Sequence, residues 1–249
     1  MSYLSAHFLL FLLALLFTYY IIPSHLRWLV LLAASLTFYC WGGQFKALAY
    51  LLCTAFSTWL AALMMDRLSA WTGEYLRLSE TLPLEDKRKI KREAKRNKKI
   101  IFLFSLIANL LILGVVKYSN SLVGTSVRFW NALNGGSVEA PVFEFLIPLG
   151  ISFYTLQSLG YLIDVYRGKY RAEKNFAKYL LFVSYFPQIV QGPIGRYDQL
   201  ASQLTAPNQF EYENLKHGAT LMLWGYMKKL VIADRLAPFV AAVCKAPEK

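Results

Sequence analysis

The 249-residue chain is 56% hydrophobic, 16% aromatic and only 17% charged, against about 25% charged residues in a soluble domain, so composition points to an integral membrane protein and away from an ordinary soluble enzyme. The net charge of +12 does not mark a nucleic-acid protein. Half of it lies in one stretch, Glu85 to Lys99, where nine Lys/Arg meet three Asp/Glu, and no nucleic-acid recognition motif accompanies it.

A membrane-spanning helix needs about 20 mostly apolar residues. Tyr3 to Ile22 supplies them and closes at Pro23; with no basic n-region and no small-residue cleavage site, it reads as a retained first span rather than a signal peptide. Trp28 to Trp41 is shorter, and Leu26 and flanking aromatics extend it. Gly42-Gly43-Gln44 predicts a tight turn. Ala47 to Met65 is an uncharged run of 19 residues. The basic stretch within about 67–99 then reads as a solvated helical loop on the cytoplasmic side, whose cations can also attract anionic headgroups. Ile100 to Val116 is the next span. With three spans before the basic loop, the N-terminus is expected outside, and Tyr118 to Glu144 exoplasmic.

Phe145 to Ile163 returns inward, broken by Pro148, Gly150, Gln157 and Gly160, and meets a second basic stretch, VYRGKYRAEKNFAK. Phe176 to Val190 is too short to span comfortably. It leads into Gly192-Pro193, where proline removes a backbone donor, and so predicts a half-helix or re-entrant element. Ala219 to Val243 is long enough, but Lys228, Lys229, Asp234 and Arg235 interrupt it. Lys228 and Lys229 mark a helix end at the cytoplasmic surface or face the interior. The expected fold is all-α: a multi-pass helical protein of the cell membrane with about five to seven spans, short broken or re-entrant helices, and residues 1–249 within a single domain.

Polar residues inside apolar runs are the functional candidates. Gln157 and Ser158 accompany Ser152, Tyr154 and Thr155; on a helix Ser152 shares a face with Thr155, and Tyr154 with Ser158. This is a tunnel-facing stripe or ordinary interhelical hydrogen bonding, with Gly150 and Gly160 allowing close helix approach. FPQIVQGPIGRY, Phe186 to Tyr197, carries Gln188, Gln191 and Arg196. Irregular polar backbone at membrane depth survives only if protein buries it or it lines a wet cavity. Arg196 should therefore face a vestibule or pair with Asp198 or Asp164, while Asp164 pairs with Arg167 or caps a helix end. A guanidinium suits bidentate phosphate contact, so Arg196, and with it Lys228 and Lys229, are candidates for holding an anionic donor. His7 lies in the first span, His25 in an interfacial turn, and His217 at a surface or helix start. Cys40, Cys53 and Cys244 show no disulfide or zinc spacing and read as buried packing.

LGISFYTLQSLGYLIDVYRG, YFPQIVQGPIGRYDQL, GYMKKLVIADRLAPFV and YYIIPSHLRWLVLLAASLTFYCWGG together resemble the membrane-bound O-acyltransferase family, in its bacterial alginate O-acetylase branch. The resemblance implies a many-helix membrane fold around a tunnel or funnel. It implies an acyl donor that is a thioester such as acetyl-CoA, used as a substrate, with no bound cofactor and no metal. The acceptor it implies is a hydroxyl on a cell-surface or exported polysaccharide, often reached through a separate extracytoplasmic transferase partner. The expected partners are thus the lipid bilayer, the donor and the polysaccharide, and not nucleic acid. The family's key histidine belongs to a later helix, beyond Lys249, so this chain is expected to be an N-terminal part without the catalytic base. His217 lies in a segment matched to an earlier helix and does not replace it. Judged on its residues without the resemblance, the chain does not separate acyl transfer from a transporter or flippase, and a non-catalytic half-protein that pairs with a partner is a further alternative.

Overall fold

In the computed structural model, residues 5–41, 45–79, 81–134, 148–189, 192–193 and 195–245 are described, and among them every regular element is helical. Two compact units are present: residues 25–206, and the chain ends together (residues 1–24 with 207–249).

The larger unit begins with α2 (Arg27–Trp41), α3 (Phe45–Leu78, 34 residues) and α4 (Leu84–Asn134, 51 residues). At about 1.5 Å per residue the last two are roughly 51 and 77 Å long, well beyond the ~30 Å hydrocarbon core of a bilayer. Leu48–Leu78 and Leu84–Asn134 are the described helices long and apolar enough to cross a membrane. Their length corrects the expected segmentation. The basic stretch is not a loop joining two spans: it is the first third of α4 and runs without a break into residues 100–116 and on to Asn134. Lys, Arg, Glu and Ala are strong helix formers, and Glu85 and Asp86 in the first turn oppose the helix dipole. In the same way α3 continues past Met65, through Asp66 and Arg67, to Leu78.

Next come α5 (Ile151–Tyr166), α6 (Phe176–Ser184), α7 (Phe186–Ile189) and α8 (Tyr197–Thr205). Pro148 and Gly150 precede α5, whereas Gln157 and Gly160, expected as breaks, lie inside it unbroken; one glycine costs a helix only about 1 kcal/mol. The core is drawn from α2, α3, α5 and α6, with Tyr39, Leu51, Met65, Tyr154, Leu162 and Leu181 almost fully buried. It includes hydroxyls: Thr58 Oγ1 and Tyr179 Oη share a 2.8 Å hydrogen bond across α3 and α6. Cys53, expected to be buried, is exposed on α3, on a helix whose apolar surface is only partly covered by protein.

The smaller unit holds α1 (Ala6–Ile21), α9 (Tyr212–Met227), a π-helical turn (Lys228–Ala233) and α10 (Asp234–Lys245). Tyr20 and Phe210 meet edge-on at 5.0 Å within it. Lys228 and Lys229 do not end a helix: the helical run passes through the π turn and continues. Both ammonium groups stay at the surface on their aliphatic stems, Lys228 over the Trp224 ring at 5.6 Å and Lys229 3.8 Å from Asp234. Cys244 is exposed on α10, again against expectation. The turn expected at Gly42-Gly43-Gln44 lies outside the described residues.

Candidate functional site

The site grows from the way the chain breaks after α6. Helix α6 stops at Ser184, Tyr185 turns to ψ 110°, and the single turn of α7 follows. Pro187 is the cause: it has no N–H, and its ring would meet the carbonyl of Val183 in a continued helix. The break was expected from Pro193; Pro187, six residues earlier, was the overlooked signal. Phe186 N–H now donates to Ser35 Oγ of α2 at 3.3 Å, and its ring packs on Phe38 at 5.6 Å. The Phe182 carbonyl, which would have accepted from Phe186, receives Gln157 Nε2–H instead, at 2.9 Å. Gln157 therefore satisfies a backbone group released by the break, and it is buried.

Gly192 and Gly195 then lie against this junction at close range. A Cβ on Gly192 would come within 2.6 Å of Gln188 Cα, and one on Gly195 within 2.8 Å of Gln188 Oε1 and 3.4 Å of Gln157 Nε2. Gly150 closes the other side with φ 70°, and a Cβ there would collide with the Ile189 carbonyl oxygen. Gly150 thus does permit a close approach, as expected; Gly160 has nothing within 4 Å of a would-be Cβ and instead lines a cavity. Gln191 lies outside the described residues. Ser158 is buried beside Gln157, as is Tyr154 on the same helix. Ser152 faces outward and accepts from Lys117 Nζ at 3.1 Å.

Where α5 ends, Gly195, Arg196 and Tyr197 form one wall of an open cavity of about 610 Å³, opposite Gly160, Asp164, Arg167 and Lys169. Arg196 Nη2 and Lys169 Nζ each lie 3.0 Å from Asp198 Oδ2. Asp164 is 3.5 Å from Lys169 and accepts from Tyr170 Oη at 3.3 Å. Of the two acids weighed for Arg196, the structure selects Asp198. Asp164 takes Lys169 rather than Arg167, because the Gly168 turn (φ 74°) brings Lys169 back over the helix end. The hydrogen bond from Lys169, reinforced by the Arg196 charge, holds the Asp198 carboxyl below its ordinary value. The Arg196 side chain is 55% exposed, so most of its donor fork stays open toward the cavity.

Glu173 fastens this wall from behind. Its N–H donates to Tyr161 Oη, its carbonyl accepts from Trp59 Nε1, and its carboxylate accepts from Tyr197 Oη and Asn175 N–H, all at 2.8 Å. One residue thereby ties α3, α5, α6 and α8 together. Tyr197 packs on Tyr161 at 4.8 Å and on Phe182 at 5.0 Å. Burial first, and the neighbouring Glu173 and Asp164 carboxylates second, push the Tyr197 and Tyr170 hydroxyls well above their ordinary pKa. Sequence reasoning missed Glu173, Lys169 and the tyrosines; the readable signal was a single acid among the cations of the second basic stretch.

His217, Lys228 and Lys229 belong to the smaller unit, and all three are exposed. His7 and His25 are exposed too. Among the described residues no group of three or more His, Cys, Asp or Glu is placed to hold a metal ion.

Comparison with known proteins gives relatives over most of the chain. A probable alginate O-acetylase of Azotobacter vinelandii is 31% identical over 227 residues, covering 88% of this chain and 39% of that protein. Its counterpart in Pseudomonas aeruginosa is 30% identical over 228 residues, 92% of this chain and 39% of that protein. A peptidoglycan O-acetyltransferase of Helicobacter pylori is 30% identical over 168 residues, 57% of this chain and 31% of that protein. The chain thus spans about two fifths of the length of the curated relatives it matches over most of its own length. No family model matches it, and no solved structure does.

Proposed function

The chain belongs to the membrane-bound O-acyltransferase family, and on that premise we propose that it forms the donor-binding side of an enzyme that O-acetylates an exported or cell-surface polysaccharide. The single observation that carries this reading is Arg196: a guanidinium with an open donor fork, set in the wall of a 610 Å³ cavity by Asp198 and by the close-packed Gly195. A thioester donor such as acetyl-CoA carries phosphates, and guanidinium binds phosphate through paired hydrogen bonds. Lys169 and Arg167 line the same cavity and add positive charge. The donor is a substrate here; the reading calls for no resident cofactor.

Acyl transfer also needs a base for the acceptor hydroxyl and donors for the developing oxyanion. His7, His25 and His217 are exposed on helices or turns, so we assign the base to sequence outside this chain. The basic end of α4 is read as cytoplasmic and the N-terminus as outside. The cavity then opens toward the cytoplasm, where the thioester is made. The acceptor, and any extracytoplasmic transferase that receives the acetyl group, lie across the membrane.

Arg196→Ala in the complete enzyme tests this. Removing a charged hydrogen bond worth about 1.5–3 kcal/mol should raise the donor KM by roughly 10- to 100-fold and leave the acceptor KM unchanged. An unchanged donor KM in a folded variant overturns the assignment. Loss of labelled acetyl transfer, with movement of an intact substrate across the membrane retained, would give the chain to a transporter instead.

A further inference from the structure

We propose that the basic part of α4 and the connection between α5 and α6 form a binding collar for anionic phospholipid headgroups, around the membrane surface on which the cavity opens. This rests on the chain lying in a membrane and is independent of the donor chemistry.

The basic third of α4 is one-sided. Its partly buried positions are Lys87, Ile90, Ala94 and Lys98, spaced by three and four, so one edge packs and the rest faces outward. Arg88, Arg92, Lys95, Arg96 and Lys99 lie on the outward side, exposed. None of them makes an ion pair among the described residues. A helix needing only to mark its orientation does not need so many free cations on one face. From Arg92 to Lys99 the stripe is about 10 Å long. It leads directly into apolar residues 100–116, so its four cations stand within about one Debye length of the membrane boundary.

The α5–α6 connection lies at the same level. Lys98 Nζ sits over the Tyr166 ring at 5.7 Å, and Phe102 stacks on that ring at 4.4 Å. Tyr166 ends α5, and the connection after it exposes Arg167, Arg171 and Lys174, again in no ion pair among the described residues. Lys178 lies over Trp28 at 5.8 Å. Trp and Tyr settle at the headgroup layer of membranes, so these cation–aromatic pairs mark that layer. Of the acids nearby, Asp164 and Asp198 are engaged by Lys169, and Glu173 by Tyr197 and Asn175; Asp66 lies near Lys98, the half-buried cation at the edge of the stripe. Glu93 is the one acid between Arg88 and Lys99. Two patches of free cations in one interfacial plane match the phosphodiesters of anionic lipids, which are arrayed in that same plane. An acidic soluble protein would favour the length of the α4 stripe but not the second patch.

The test uses the complete protein in mixed micelles holding equal phosphatidylglycerol and phosphatidylcholine, with retained lipid counted by native mass spectrometry. Each cation near an anionic surface is worth about fivefold in binding. The wild type should therefore retain phosphatidylglycerol at least tenfold over phosphatidylcholine, and 0.5 M salt should erase most of that preference. R92Q/K95Q/R96Q/K99Q should bring the ratio near one while the helix stays formed, since Gln is a good helix former. Should those changes upset insertion, R171Q/K174Q provides the second variant, with a partial fall expected. Equal retention of both lipids by the wild type overturns the proposal. So does stripe-dependent binding of polyglutamate without any lipid preference, which would point to an acidic protein partner.

Discussion

The junction of α5 with α6–α8 and the long helix α4 handle polarity in opposite ways. At the junction several polar groups are turned inward and paired: Gln157 with the Phe182 carbonyl, Phe186 N–H with Ser35, the Glu173 carboxylate with Tyr197 and Asn175. On α4, Arg88, Arg92, Lys95, Arg96 and Lys99 stand exposed and in no ion pair among the described residues. A buried polar group left unanswered costs about 1–3 kcal/mol, whereas an exposed one is solvated at little cost. The junction is therefore a specified geometry, and α4 is a specified charge density. Substitutions should hurt the first through shape and the second through number.

Glycine gives the largest contrast. Gly150 combines φ 70° with a backbone approach that leaves no room for a Cβ, while Gly124 in α4 has nothing within 4 Å. Gly150→Ala adds a left-handed side chain and an overpacked contact, together about 3 kcal/mol or more; little monodisperse protein should survive extraction, and its melting temperature should fall steeply. Gly124→Ala should instead stabilise by about 0.5–1 kcal/mol, the ordinary helix preference. Equal melting temperatures for the two variants would erase the distinction between the regions. A smaller effect follows from Gln157→Leu, which keeps the volume but leaves the Phe182 carbonyl unanswered. About 1–3 kcal/mol should be lost, measured as a lowered midpoint in detergent.

Periodicity and composition made the helical architecture readable, because apolar runs of span length and a concentrated basic segment are strong local signals. They did not give helix length. Nothing local separates a charged helical loop from the charged end of one continuous helix, since Lys and Arg serve in both; tertiary contacts, among them Lys98 and Phe102 on Tyr166, mark the level at which α4 leaves the core. Arg196 was readable as a cation that must find an acid. Its choice of Asp198 was not, because it depends on the turn at Gly168 that delivers Lys169 to the same carboxylate. Gln157 was readable as polar within an apolar run, but its role waited on the break at Pro187, a tertiary consequence of α6 turning toward Ser35. Glu173 drew no notice because its distant partners, Trp59, Tyr161 and Tyr197, come from three separate helices.

The subtlest expected effect concerns the tyrosines behind the cavity wall. Tyr170 and Tyr197 each give a hydrogen bond to a carboxylate in a partly buried setting, which raises their pKa above the ordinary value of about 10. The unfolded chain releases these protons near pH 10, and the folded chain holds them further up. Their contribution to stability is therefore complete below about pH 10 and is lost as pH rises beyond it. Across pH 6 to 9 the melting temperature should be flat with respect to these groups. Between pH 10 and 11.5 it should fall, and the double variant Tyr170→Phe/Tyr197→Phe should fall less over that interval despite starting lower. Asp198 runs the other way: its carboxyl is held low, so its pairing with Lys169 and Arg196 persists down to about pH 4 and fades only below it. A loss of the Asp198 pairing already at pH 6 would break this assignment, because its carboxyl is held below the ordinary range by Lys169 and Arg196.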